Sequence, residues 1–303
     1  MFKIAHSPIF CHAVPEGHRF PMAKYEKLPQ KLTADGIATP SQFFEPPMAT
    51  IDEILTTHTQ GYWHALDTLT LPAKECRKIG LPMSQALIDR ERYVVGATIA
   101  CAKYALTDGF ALSTSGGTHH AFADSGEGFC ILNDVCVASN VLLRDGLAKR
   151  ILILDLDVHQ GNGNAAIMAD NPDVFVFSMH GEKNYPYHKP KSDLDIALAD
   201  GTGDDGYLAL LTDHLPRVLD EFCPDFVFYQ AGVDVLAEDR LGRINLTMDG
   251  LIKREKYVIG TLHANKLPTV VTMGGGYAPD IDVIVQGHSV VFEVVNFFNL
   301  TTL

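Results

Sequence analysis

The sequence predicts an α/β fold, a mostly parallel sheet wound with helices on both faces. Short apolar runs alternate with longer amphipathic ones along the chain, and the short runs are β-branched or aromatic-rich with charge kept to their ends. No repeat, low-complexity tract or Ser/Gly/Pro-rich linker interrupts the alternation. Strands covered on both faces must be continuously apolar, and strand–helix–strand alternation implies parallel pairing. The length, 303 residues, fits one large α/β domain, although two would be allowed.

Strands are expected at 2–5, Phe110–Ser113, 150–156, 174–178, Phe226–Gln230 and 269–273. Helices are expected at 89–107, 133–146, 206–222 and Met248–Ala264. In the third helix Tyr207, Leu211, Leu215, Val218 and Phe222 keep one face apolar, while Asp213, Arg217 and Asp220 face away. Pro216 conflicts with that helix, which it should kink or break. The loop-rich segments 11–50 and 179–205 are too long to be plain connectors and are expected to shape a site.

Composition excludes several function classes. With 47% apolar and 20% charged residues the chain is not disordered. A formal charge of −13 without a basic patch argues against nucleic-acid binding and favours cationic ligands such as lysine side chains or polyamines. The six cysteines lack a C-x-x-C pair, which suits buried thiols in a reducing compartment. The start, Met1-Phe2-Lys3-Ile4-Ala5-His6, does not read as a signal peptide, and the apolar stretch 93–102 is about half a membrane span. The expected location is therefore cytoplasmic, away from membranes.

Ligands of open α/β sheets bind at the carboxyl ends of the strands. The run Ser115-Gly116-Gly117-Thr118-His119-His120 follows one expected strand, and Asp155-Leu156-Asp157-Val158-His159-Gln160-Gly161-Asn162-Gly163 closes another. Ala231-Gly232-Val233-Asp234 and Gly274-Gly275-Gly276-Tyr277 follow two more. Asp155, Asp157 and His159 fall on one side of an extended chain, two acids and an imidazole that repel and desolvate badly without a cation. Together with Asp234 they point to a metal site. One histidine with two carboxylates and an open position suits catalytic zinc, or Fe(II) in its place.

His119 and His120 stand behind two glycines that permit tight backbone geometry near a ligand. A neutral imidazole beside an activated water is a natural general base, and a second stabilises charge. Each needs an orienting partner, for which Asp155 and Asn162 are available. Tyr277, after three glycines, is placed to aim its hydroxyl at a developing oxyanion. Phe129, between Gly128 and Cys130, reads either as a pocket wall or as core packing. His6, His12 and His18 near Cys11 match no standard zinc spacing and read as structural histidines.

At these residues the sequence resembles the histone deacetylase family of the arginase–deacetylase fold across nearly the whole chain. The resemblance is carried by Gly117-Thr118-His119-His120-Ala121, by Gly126-Glu127-Gly128-Phe129 running on to Asn133-Asp134, by Asp155 to Gly163, by Tyr229 to Asp234, and by Gly274 to Tyr277. The form of Asp157 to Gly163, with Asp239-Arg240-Leu241-Gly242 downstream, looks most like class IV members and their bacterial relatives. The resemblance implies a single domain over residues 1–303 with a parallel sheet of about eight strands. It implies zinc on Asp157, His159 and Asp234, with His120 as general base and acid, His119 as its electrostatic partner and Tyr277 as carbonyl polariser. Asp155 would orient His119, and Asn162 would orient His120. Gly128 and Phe129 would line an acyl-lysine tunnel. A structural K+ would sit on backbone carbonyls of Asp155, Asp157 and His159 with Ser178, and Arg19 would occupy an internal channel for the departing acetate.

Three departures from the family pattern stand out. Many relatives carry Asp where Asn162 stands, so the orienting partner of His120 is neutral here. Many have a second His at Gln160. Gly80-Leu81-Pro82-Met83-Ser84-Gln85 offers no acid to grip a peptide backbone. The implied activity is hydrolysis of acetyl or longer acyl groups from lysine side chains. An acetylpolyamine amidohydrolase has the same chemistry and suits the acidic surface. A two-manganese ureohydrolase needs acids where Gly161 and Leu236 stand. Neither acyl length, substrate size nor oligomeric state is legible.

Overall fold

The computed structural model describes residues 2–300, Leu300 by its backbone alone. Among these residues eight strands form one sheet: β1 (Lys3–Ala5), β2 (Phe43–Phe44), β3 (Phe110–Ser113), β4 (Ile151–Asp155), β5 (Val174–Gly181), β6 (Leu194–Leu198), β7 (Phe226–Gln230) and β8 (Thr269–Thr272). Their order is β2-β1-β3-β8-β7-β4-β5-β6, and every neighbouring pair is parallel. The flanking helices are α1 (Lys24–Ala34), α2 (Ile51–Ile54), α3 (Gln60–Asp67), α4 (Ala73–Ile79), α5 (Gln85–Asp108), α6 (Asp134–Arg144), α7 (Asn162–Met168), α8 (Asp204–Phe222), α9 (Met248–Ala264) and α10 (Ile281–Leu300).

All six expected strands are present. The two strands that the sequence pattern does not predict, β2 and β6, are the sheet's edges. Four of the five β6 residues are less than fully buried and β2 is two half-buried residues long, so neither shows the continuous apolar run of a covered strand. The segment 11–50 is not loop throughout: it holds α1, whose pattern is masked by Pro29 inside the helix. Helix α10 is likewise not predicted by the sequence pattern. It is long and apolar enough to cross a membrane, yet 56% of that window is buried, and it packs against α9 and α1.

Pro216 does not break α8. The carbonyl of Thr212, deprived of the amide four residues on, accepts from the Tyr257 hydroxyl of α9 at 3.4 Å. Side-chain caps fix other helix starts: Ser84 accepts from Leu87 N before α5, and Thr247 from Gly250 N before α9. Each such cap is worth about 1 kcal/mol. Asn133 caps α6 and donates from Nδ2 to Asn164 Oδ1 at 2.8 Å and to the Ala121 carbonyl at 3.1 Å, tying α6 to α7 and to the loop after β3.

The sheet order brings four chemistry-bearing strands side by side. β3, β8, β7 and β4 are consecutive at its centre, and their carboxyl ends align through Leu112 beside Val271, Thr272 beside Gln230, and Gln230 beside Asp155. The chain leaves β3 and re-enters the sheet at β4 with β8 and β7 between them, a reversal of the kind that opens a crevice beyond the strand ends.

Candidate active site

Asp157, His159 and Asp234 converge at that crevice, all buried, with one potential ligand atom from each within 4.8 Å of the others. His159 Nδ1 lies 3.1 Å from Asp157 Oδ1 and 3.0 Å from Asp234 Oδ2. Backbone amides hold both carboxylates: Val158 N donates to Asp234 Oδ1 at 2.9 Å, and Gly275 N to Asp157 Oδ2 at 2.6 Å. Gly275 is required there, since a Cβ would stand 1.9 Å from Asp234 Oδ2.

The electrostatics show a site that wants a cation. Burial, then Asp157, pushes Asp234 up to about 7, against the pull of His159. Burial opposes charge on His159, but its hydrogen bonds to Asp157 and Asp234 raise it to about 10. Two carboxylates and one imidazole buried this close together leave negative charge that a positive ion would balance. One nitrogen and two oxygen donors are the chemistry of a zinc or Fe(II) site. The donors fit such an ion.

The two histidines after β3 face this trio. His119 and His120 have ring centroids 4.1 Å apart, and His120 lies 5.9 Å from His159. His119 Nδ1 is 2.8 Å from Asp155 Oδ2. Burial opposes its charge, yet Asp155 and Asp157 raise its pKa. His120 Nδ1 is 2.6 Å from Asn162 Oδ1, and Asn162 Nδ2 donates to Glu127 Oε1 at 2.6 Å. That second bond fixes the amide's orientation, so Nδ1 of His120 carries its proton and Nε2 presents a lone pair. Burial, then the charges of His119 and His159, holds His120 well below the ordinary imidazole value.

Tyr277 closes the far side, its ring centroid 6.2 Å from that of His159. Burial, then Asp157 and Asp234, keeps its hydroxyl well above the usual phenol range and hence protonated. Gly128 and Phe129 line the mouth of a cleft of about 230 Å³, with His120, His159 and Tyr277 at its base. Phe129 is a wall residue, half-buried with φ 67°, packed 6.0 Å from the Tyr277 ring. Ser178 stands beside Asp155 in the sheet, its Oγ 3.0 Å from His180 Nδ1.

Arg19 is displaced from its expected place. It is exposed at the cleft mouth, its guanidinium 5.3 Å from the Phe129 ring centroid. Phe20 takes the interior, so the preceding side chain faces out. The guanidinium on the inner wall is that of Arg90, buried, with Nε donating to the Phe10 carbonyl at 2.8 Å.

The sequence assigns no role to four residues of the site. Tyr185, from the loop after β5, stands 5.0 Å from the His120 ring, and Glu127 backs Asn162. Asp239 Oδ2 accepts from Tyr277 N at 2.5 Å, while its other oxygen accepts from Leu241 N at 2.8 Å and Gly242 N at 2.9 Å. Lys24 is 1% exposed, ringed by Phe20, Tyr25 and Tyr277, and its Nζ donates to the Gly274 carbonyl at 3.1 Å. Asp239 and Lys24 thus hold the tyrosine loop from both ends. Nothing in the local sequence marks Lys24, which reads as an ordinary surface lysine.

Burial pushes Lys24 down to about 8, although Asp234, Asp157 and Asp239 oppose it. A cation whose pKa is lower in the folded chain than in the unfolded one penalises folding in full below pH 8. The penalty, on the order of 3 kcal/mol, fades as pH rises from about 8 toward the ordinary lysine value of about 10.5. Lys24→Met should therefore be more stable relative to the wild type at pH 7 than at pH 10, by urea unfolding of the metal-stripped proteins. Equal differences at both pH values would contradict the buried charge.

Comparison with known proteins accords with this geometry. A family model described as a histone deacetylase domain matches residues 18–292. An uncharacterized protein of Picosynechococcus sp. is 46% identical over 288 residues, 95% of this chain and 96% of its own length. Histone deacetylase 2 of Arabidopsis thaliana is 29% identical over 269 residues, 86% of this chain and 70% of the relative. The crystal structure of an HDAC homologue complexed with SAHA superposes with a TM-score of 0.84 at 24% identity, covering 98% of this chain and 84% of that one. The chain belongs to the histone deacetylase family, as a hydrolase of the deacetylase type on the arginase–deacetylase fold.

Proposed function

We propose that the protein is a metal-dependent amide hydrolase that removes acetyl or longer acyl groups from lysine side chains. The observation that carries this is the convergence of Asp157, His159 and Asp234 at one cleft base with the His119–His120 pair and Tyr277. A zinc or Fe(II) ion held by the trio would supply Lewis acidity to the amide carbonyl and make a water acidic enough to attack. His120, kept neutral and oriented by Asn162, accepts the water's proton at Nε2. His119, drawn toward its charged form by Asp155, offsets negative charge building beside it. The Tyr277 hydroxyl donates to the developing oxyanion. His120 then returns its proton to the departing amine. Gly128 and Phe129 guide the acyl-lysine stem, and Asp239 and Lys24 position Tyr277 through its loop.

The donor set favours one ion over two, because Gly161 and Leu236 stand where a two-manganese ureohydrolase would need acids, and the trio is the one such cluster among the described residues. Class IV membership, a K+ at Asp155, Asp157, His159 and Ser178, and a cytoplasmic location remain part of this proposal. Turnover of acetyl-lysine peptides, longer acyl-lysine peptides and acetylpolyamines, compared by kcat/KM, tests it. Acyl-lysine peptides should be cleaved, with activity lost on chelation. A strong preference for acetylpolyamines would move the substrate class and leave the mechanism standing, whereas no amine release from any of them would refute the reading.

A further inference from the structure

We propose that the cleft mouth selects acylated lysines flanked by acidic side chains, with Arg19 as the residue that discriminates. The inference rests on the amide-hydrolase reading and runs against the molecule's overall charge of −13, which by itself favours cationic substrates. At the mouth the local balance is reversed. Among the described residues, the charged side chains lining it are the cations Arg19 and Lys78, and no carboxylate lines it. The 80–85 loop, which abuts the Phe129 ring through Gly80, adds no acid. Glu127, next to Gly128 in the wall, is turned to Asn162, whose Nδ2 donates to its Oε1 at 2.6 Å.

The two cations differ. Lys78 is ion-paired to Glu75 at 3.0 Å, so its charge is partly spent within the protein. Arg19 makes no ion pair among the described residues. Its contact is the face of Phe129, the ring that walls the cleft, and a cation over an aromatic face is held without using its N–H donors. A guanidinium so placed offers a planar donor fork to a carboxylate beside the substrate lysine. Screening over about 8 Å at physiological salt lets this near charge outweigh acidic residues farther away. The pair would be solvent-exposed, so roughly a two- to fivefold preference is expected.

Three acetyl-lysine peptides differing only in flanking residues (acidic, neutral or basic) test this, together with N-acetylputrescine and with free-acid and amidated peptide ends to separate side-chain from terminal carboxylates. Wild-type kcat/KM should fall in the order acidic, neutral, basic, with the spread narrowing at high salt. In Arg19→Gln the acidic-to-neutral ratio should drop toward one through KM, in Arg19→Glu it should invert, and in Arg19→Lys part of it should remain. A preference that follows the free terminus alone, an unchanged ratio in Arg19→Gln, or a wild-type preference for basic peptides or acetylputrescine would overturn the proposal. If nothing is hydrolysed, the failure belongs to the amide-hydrolase reading. Anisotropy of the same peptides, labelled, then still ranks their binding and decides the mouth's preference.

Discussion

Tyr277→Phe is expected to lower kcat by roughly a hundred- to a thousandfold while leaving KM and metal content nearly unchanged. Desolvation first, then the charges of Asp157 and Asp234, keeps the hydroxyl protonated, so it can donate. The ring, which packs against Phe129 and Phe20, survives the substitution. Loss confined to kcat is the mark of an interaction made in the transition state and not in the ground state. Steady-state kinetics with zinc analysis of both proteins checks it. An unchanged kcat would remove Tyr277 from the chemistry, and a large rise in KM would make it a binding residue.

Asp234→Ala is expected to lose the ion altogether and with it all measurable turnover. Two donors remain, Asp157 and His159, and the Val158 amide that Asp234 Oδ1 accepts from is left without its partner. Removing one of three protein ligands also leaves the remaining buried groups to share charge that the ion would balance. Metal content after dialysis is the direct readout, alongside circular dichroism to establish that the sheet is intact. Retention of a full equivalent of metal by the folded variant would place the ion elsewhere.

Much of this architecture was legible because its signals are local. β3, β4, β7 and β8 are continuous apolar runs, and each ends in residues that make poor strand and good chemistry. The periodicity of α9 needed nothing beyond its own segment. Asp155, Asp157 and His159 do not share one side of a strand as the alternation predicts: β4 ends at Asp155, which turns to His119, and a bend over 157–159 brings Asp157 and His159 to Asp234. What escaped depends on packing between distant segments. β6 is half-exposed, and α1 carries an internal proline. Lys24 is buried only because Phe20, Tyr25 and Tyr277 close around it, and its bond to the Gly274 carbonyl spans 250 residues. Arg19 lies outside its expected channel position for a related reason. A motif names the residue, but which of Arg19 and Phe20 turns inward is decided by the aromatic cluster they meet.

Titration of the metal-stripped protein with zinc or Fe(II), following bound ion and released amine together on an acetyl-lysine peptide, tests the central claim most directly. Activity should rise linearly and saturate at one equivalent per chain. Full turnover without added metal, or saturation at two equivalents, would contradict it.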